Sequence, residues 1–143
     1  GRAHSDNFSF IEHAVPHCTS DELFKYILRD ESRGVFTGRI LVAQDAQKTQ
    51  AYQNNRNLLL SPSARMQSKP QLEIYADDVK CSHGMTTGQL SEEALFYMRQ
   101  RGISLEEARL MLSNAFAEDV LARIPVEELA ETLRSCVEER LRR

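Results

Sequence analysis

The pattern of hydrophobic and polar positions changes near Leu90 and divides the chain into two parts. Before that point, short runs of apolar and β-branched residues, such as 35–43, are broken by Gly, Asn and Ser, which is typical of strands and turns. After it, apolar residues recur three or four positions apart, as on one face of a helix. The sequence therefore predicts a β-rich part over residues 1–88 and a helical part over residues 89–143.

Several strands of the β-rich part can be placed from the pattern. After Pro70, apolar and polar residues alternate, which predicts a strand with one solvated face, and the phase slips at 77–78, where we expect a bend or bulge. The run Asn-Asn-Arg-Asn at 54–57 predicts a turn, followed by a short buried strand at 58–60.

One early segment and the overall architecture stay ambiguous at this level. Residues 19–22 resemble a helix capping box, and residues 23–28 suit a helix or a strand; we predict a strand because the neighbouring segments are strands. No sequence repeat of fixed period is visible in the β-rich part. Short strands separated by turns fit a sandwich, a barrel or a solenoid, and periodicity does not choose among them.

Three helices are predicted in the second part from their end signals. Ser91 can cap the first helix, which Gly102 ends, and Ser104 with Glu107 forms a capping box for the second. Pro125 closes the second helix and can open the third. The apolar face of the third helix comprises Val126, Leu129, Leu133, Val137 and Leu141.

Composition and charge exclude several classes of protein. The 143 residues, 41% hydrophobic and 27% charged, suit one compact domain or two small ones. The net charge of -3, with no isolated basic block, argues against nucleic acid as a partner. No apolar run reaches the ~20 residues that cross a bilayer, so we expect no membrane association. Three widely spaced cysteines, Cys18, Cys81 and Cys136, argue against a disulfide framework and for a reducing, cytoplasmic location.

The motif with the most chemical content is Cys81-Ser82-His83. In an extended segment Cys81 and His83 lie on one face, about 6.5 Å apart along the strand. A thiolate beside an imidazole suits a borderline metal or a Cys–His nucleophile pair, whereas the plainer interpretation is a packed cysteine and a hydrogen-bonded histidine. A closed zinc site takes four ligands and a cluster usually takes several thiolates, so a metal here would need ligands from another chain.

Other signals are weaker. The sequence contains no Gly-rich phosphate loop, no Cys-x-x-Cys and no His-Glu-x-x-His. The consecutive bulky residues Phe96, Tyr97 and Met98 cannot all face one core of a helix, so at least one is expected to be exposed and available to a partner.

Several ordered motifs carry a resemblance to a known family. The segment 69–84, Lys-Pro-Gln-Leu-Glu-Ile-Tyr-Ala-Asp-Asp-Val-Lys-Cys-Ser-His-Gly, resembles the SufB/SufD family of iron–sulfur cluster assembly scaffolds, in particular its SufD type. Residues 95–103, 36–40, 46–49 and 57–60 are also similar to family segments. The resemblance implies a right-handed parallel β-helix followed by a small C-terminal helical domain. Family members are longer, so we expect this chain to be the last turns of the β-helix plus that domain.

The resemblance also implies partners and a cargo. SufD-type proteins are expected to form a heterodimer with SufB through the C-terminal turns of the β-helices, and to dock the ABC-type ATPase SufC through the helical domain. A cysteine desulfurase system would supply the complex indirectly. His83 matches a histidine implicated at the SufB interface, and Cys81 matches the cysteine beside it. A transient iron–sulfur cluster or iron would assemble there, and this chain alone would bind no cofactor tightly.

Further roles follow from the same resemblance. Tyr97, Arg99, Arg101 and Gly102 are expected to belong to the SufC-docking surface, or else to join the helical domain to the β-helix. The chain would be a scaffold and not an enzyme, or an interaction module that binds SufC without assembling clusters. A cysteine hydrolase using Cys81 and His83 is a third alternative, and it predicts a depressed Cys81 pKa. In isolation, the uncapped strand edge at the N-terminal end of a cut solenoid would favour a homodimer.

Overall fold

The computed structural model describes residues 1–142, which form two compact units divided at Gly88. The first unit contains six strands in two three-stranded sheets, and the second contains three helices. The strands are β1 (His4–His13), β2 (Thr19–Leu28), β3 (Arg33–Val42), β4 (Gln50–Leu59), β5 (Arg65–Ile74) and β6 (Lys80–Gly88). The helices are α1 (Glu92–Gln100), α2 (Leu105–Leu121) and α3 (Glu127–Arg142). A β-rich part followed by helices is therefore confirmed.

Consecutive strands alternate between the two sheets. One sheet has the order β1-β3-β5 and the other β2-β4-β6, so each strand pairs with the strand two before it, in parallel. In the first sheet His4 is aligned with Arg33, and Arg33 with Arg65; in the second, Thr19 is aligned with Gln50. The partners lie about 30 positions apart. The repeat is therefore visible in the positions of the strands, and the sequence shows no matching repeat of residue types.

The ambiguous segment and one predicted turn are decided by the structure. The prediction of a strand at residues 19–28 is confirmed by β2. The predicted turn at 54–57 is wrong, because these residues lie inside β4. Gln53, Asn55 and Asn57 alternate with more exposed residues and point into the core, where each amide nitrogen donates a hydrogen bond. Leu58 and Leu59 accordingly end β4 and do not form a separate strand.

The strand predicted after Pro70 is longer than expected. β5 begins at Arg65 and contains Pro70, which is tolerated because β5 is an edge strand. The phase slip at 77–78 marks a bend in the loop between β5 and β6, so the predicted bend is confirmed and the alternative of a bulge within one strand is wrong. The loop returns the chain from one sheet to the other.

The core of the first unit lies between the two sheets. Phe24 of β2 packs against Phe36 of β3, with ring centroids 4.6 Å apart. One apolar cluster contains Tyr26, Leu28, Phe36 and Ala64, and the other contains Ile40, Val42, Ala46, Ala51 and Ala76. Burial of these side chains from both sheets is the main source of stability for a fold of this kind.

The first helix of the second unit begins and ends, and the second begins, where local signals predict. α2 already ends at Leu121, and Pro125 precedes α3 and is not part of its first turn. The Ser91 hydroxyl accepts a hydrogen bond from Ala94 N, and the Ser104 hydroxyl accepts one from Glu107 N. Gly102 adopts φ 84° and ends α1 in the left-handed conformation that glycine favours. None of the helices in residues 1–142 combines the length and apolar character that crossing a membrane requires.

An ion-pair network connects the second and third helices. Arg134 of α3 donates a forked pair of hydrogen bonds to Glu118 of α2 and a further one to Glu127. These carboxylates raise the pKa of Arg134 above its already high usual value. The network fixes the pairing of α2 with α3 on the surface of the helical unit.

Candidate functional site

The alignment of β6 with β4 determines which side chains of β6 face the core. Lys80 N–H donates to Thr49 O across 2.9 Å. Gln50 N–H donates to Cys18 O in the same way, at the point where Gln50 is aligned with Thr19. By the same parallel pattern, Lys80 is aligned with Gln50.

Cys81 and His83 consequently lie on the inward face of β6. Cys81 is aligned with Ala51 and packs against the apolar cluster to which Ala51 belongs, and His83 is aligned with Gln53. The two residues share one face of an extended strand, as the sequence predicts. Thr87, four positions beyond His83, accepts a hydrogen bond from the buried Asn57, which agrees with the same alignment.

The inward face of β6 is nevertheless partly open to solvent. β5 and β6 are the last strands of their sheets, so no other strand among the described residues pairs with their outer edges. His83 is exposed, Met85 is 49% exposed and Ile74 of β5 is 41% exposed. We call this surface, formed by the inward side chains of β5 and β6, the open end. It combines core-type apolar side chains with a cysteine and a histidine.

Cys81 is partly buried, and its environment favours the neutral thiol. Burial raises the pKa of the Cys81 thiol because a thiolate would lose solvation, while a hydrogen bond with the Ala51 backbone opposes that shift. A hydrolytic cysteine needs a depressed pKa. The raised pKa of Cys81 therefore argues against the cysteine hydrolase alternative.

The described residues bring few potential metal ligands together. Across residues 1–142, no group of three or more His, Cys, Asp or Glu side chains lies close enough together to hold a metal ion. Cys81 and His83 offer two potential donors at the open end. All three cysteines are free thiols.

Sequence reasoning missed a polar row next to this surface. Gln53 is fully buried, and its amide N–H donates to the Glu22 carboxylate across 2.7 Å. Gly38 faces this amide, and a Cβ at position 38 would overlap it. The signal in the sequence is the alternation of positions 51, 53, 55, 57 and 59, which is obscured because three of these residues are amides.

A second polar group lies further along the same strands. Asn57 Nδ2 donates to Asn55 Oδ1 across 2.7 Å and to Thr86 O across 3.0 Å. Ser68 of β5 also donates to Asn55 Oδ1. These bonds connect β4 with both last strands and pair the amide nitrogen of Asn57 and the amide oxygen of Asn55 in the core.

The residues predicted on the first helix are surface residues. Tyr97 is 57% exposed and its ring lies under the Arg101 guanidinium, 4.7 Å from the ring centroid. Gly102 N–H donates to Arg99 O at the end of α1. Phe96 is 63% exposed and, with Tyr97, lines a shallow pocket of about 420 Å³. The predicted exposure of at least one bulky residue on α1 is confirmed.

Comparison with known proteins identifies the class. The family model described as "SUF system FeS cluster assembly, SufBD core domain" matches residues 1–116. The chain belongs to the SufBD family of iron–sulfur cluster assembly proteins, which confirms the resemblance seen in the sequence.

Individual relatives refine this placement. The chain is 43% identical over 136 residues to the iron–sulfur cluster assembly protein SufD of Escherichia coli, covering 95% of this chain and 32% of that protein. An iron–sulfur cluster assembly SufBD family protein of Synechocystis sp. is 47% identical over 137 residues, covering 96% and 30%. The chloroplastic protein ABCI7 of Arabidopsis thaliana is 43% identical over 123 residues, covering 85% and 26%. The chain thus spans about a third or less of the length of these curated relatives.

Proposed function

We propose that the chain is a scaffold subunit of iron–sulfur cluster assembly that pairs with SufB through its open end. The single observation that carries this proposal is the exposure of core-type side chains on β5 and β6 beside Cys81 and His83. An apolar surface bordered by unpaired strand edges is suited to cover by a second protein. Membership of the SufBD family indicates iron–sulfur cluster assembly as the process. The open end is the surface that we propose for binding the partner.

The cargo of this site would be iron or a nascent cluster held between two chains. His83 offers an exposed imidazole, and Cys81 offers a thiol that loses its proton when a metal binds. Two protein donors leave coordination positions to be filled by SufB. The cargo would be transient, and sulfur would reach the complex from a cysteine desulfurase system.

We further propose that the six strands are the last turns of a right-handed parallel β-helix. Consecutive strands alternate between sheets and pair in parallel with the strand two before, at a spacing of about 30 residues. This connectivity is what a solenoid with two strands per turn requires. Earlier turns would add strands beside β1 and β2.

The helical unit is proposed to dock the ATPase SufC. Phe96, Tyr97, Arg99 and Arg101 form an exposed aromatic and basic surface on α1, and Gly102 sets the turn that follows. Their exposure favours a partner-binding role over a joining role. ATP hydrolysis would belong to SufC, the chain itself would have no enzymatic activity, and the free thiols suit a cytoplasmic location.

His83→Ala tests the role of the open end in the complex reconstituted with SufB and SufC. We expect cluster formation, followed by visible absorbance, to fall several-fold, while the unfolding free energy changes by less than about 0.5 kcal/mol. Ser82→Ala is the matched control, because Ser82 is exposed on the opposite face of the same strand. Normal cluster formation by His83→Ala would remove the assigned role of this histidine.

Tyr97→Ala tests the proposed docking surface. In calorimetric titrations of SufC into the chain, we expect affinity to fall at least tenfold, because an exposed aromatic residue beside an arginine is a typical binding hot spot. Val126→Ala is a control at another apolar position, 51% exposed, of the helical unit. Equal affinities of both variants and the unmodified chain would place SufC elsewhere.

A further inference from the structure

A row of side chains crosses the second sheet and ends at His83. Glu22 of β2 is aligned with Gln53 of β4, and Gln53 is aligned with His83 of β6. Neighbouring strands lie about 4.8 Å apart, so side chains aligned on one face are direct neighbours. Glu22, Gln53 and His83 thus follow one another across the sheet, from its β2 edge to the open end at β6.

The orientation of the Gln53 amide is fixed by its surroundings. A carboxylate can only accept hydrogen bonds, so the amide nitrogen of Gln53 must face Glu22 and the amide oxygen must point elsewhere. Gly38 of β3 leaves the space that the amide fills, since a Cβ at that position would overlap it. The amide is therefore held by one hydrogen bond and by close packing.

The amide oxygen that results is buried and has no hydrogen-bond partner. Gln53 is fully buried, and Oε1 is among the buried polar atoms that make no hydrogen bond. An unpaired buried acceptor costs about 1–3 kcal/mol, so its position requires an explanation. The neighbouring residue in the row, His83, carries a ring N–H that can supply the missing donor.

We propose that Gln53 is a positioning residue for His83. In the proposed arrangement, one ring N–H of His83 donates a hydrogen bond to Gln53 Oε1. The other ring nitrogen is then left free, facing the open end, to bind iron or a nascent cluster. A second hydrogen bond of this kind selects the tautomer and fixes the ring plane of a metal-binding histidine. The cargo in this inference rests on the proposed function, whereas the hydrogen bond does not.

The first test measures the tautomer of His83 in this chain by long-range ¹H–¹⁵N NMR at pH 8, with the signals assigned by their loss in His83→Ala. We expect one dominant tautomer in the unmodified chain and a mixture in Gln53→Met, which keeps side-chain length and removes the acceptor. Gln50→Met, the same change at an exposed position of β4, should leave the tautomer unchanged. A mixture of tautomers in the unmodified chain overturns the proposal without any need for Gln53→Met to fold.

The second test measures cluster formation in the complex with SufB and SufC. We expect Gln53→Met to lower it several-fold and Gln50→Met to leave it unchanged. If His83→Ala lowers cluster formation but Gln53→Met does not, the positioning role is overturned and the proposed function stands. If His83→Ala has no effect, the proposed function of His83 fails, and the tautomer measurement alone decides whether Gln53 holds the ring.

Discussion

Cys81 and His83 lie two positions apart on one strand, but their side chains differ in burial. Cys81 packs against the apolar cluster of Ile40 and Ala51, and burial raises the pKa of its thiol. His83 is exposed on the same face. The raised pKa keeps the Cys81 side chain as a thiol in the free chain, whereas the imidazole of His83 is open to solvent.

The raised pKa of Cys81 predicts slow alkylation. At a given pH a higher pKa leaves a smaller thiolate fraction, so the pH profile of the reaction should shift upward for Cys81. We expect iodoacetamide at pH 8 to modify Cys81 several-fold more slowly than the exposed Cys136, as followed by peptide mass spectrometry. The unfolded chain is the control, in which both thiols should react alike. Rapid modification of Cys81 in the folded chain would contradict the buried environment.

At the scale of elements, β3 and β4 fit each other through one glycine and one amide. Gly38 lies on the inward face of β3, where the Gln53 amide of β4 occupies the space that a side chain would need. Phe36 and Ile40, two positions to either side, are fully buried. The two sheets can approach closely at this level only because position 38 has no side chain.

Gly38→Ala is expected to destabilise the β unit by about 1–3 kcal/mol, because the added methyl group overpacks a filled core. Urea unfolding followed by circular dichroism measures the change. Gly88→Ala is the matched control: a Cβ there meets no atom within 4 Å, so the change should stay within about 0.5 kcal/mol. If both variants unfold at the same urea concentration, the amide of Gln53 does not occupy the space above Gly38.

At the scale of the molecule, the β unit ends in a surface that resembles a core. β5 and β6 present inward-facing side chains, including Ile74 and Met85, without a further strand in the described chain to cover them. An exposed apolar surface of this kind promotes association between protein molecules as the protein concentration rises. In the free chain, the expected occupant is a second copy, and in the complex we propose SufB.

Ile74→Lys tests this association. We expect the chain to show concentration-dependent dimerisation in sedimentation velocity, and the variant to weaken it at least tenfold because it places a charge in an apolar contact. Phe8→Lys is the control, since Phe8 is 69% exposed on β1, at the other edge of its sheet. Equal weakening by both substitutions would show that the dimer does not form through the open end.

The helical part could be predicted almost completely from the sequence, because its boundaries depend on neighbouring residues. Ser91 and Ser104 cap helices through hydrogen bonds to residues three positions away, and Gly102 ends α1 through its own backbone conformation. The presence of Cys81 and His83 on one face of β6 followed from strand geometry in the same way. Each of these features is decided within a few residues.

The turn wrongly predicted at 54–57 shows where local reasoning stops. Asparagine favours turns when its amide bonds to its own backbone, and here the amides of Asn55 and Asn57 bond instead to residues of other strands or to each other. Sequence alone therefore determined the family, the division into strands and helices, the helix ends and the Cys–His pair. The tertiary structure decided the 30-residue spacing, the hydrogen bond between Glu22 and Gln53, and the open end, because each depends on contacts between residues about 30 positions apart.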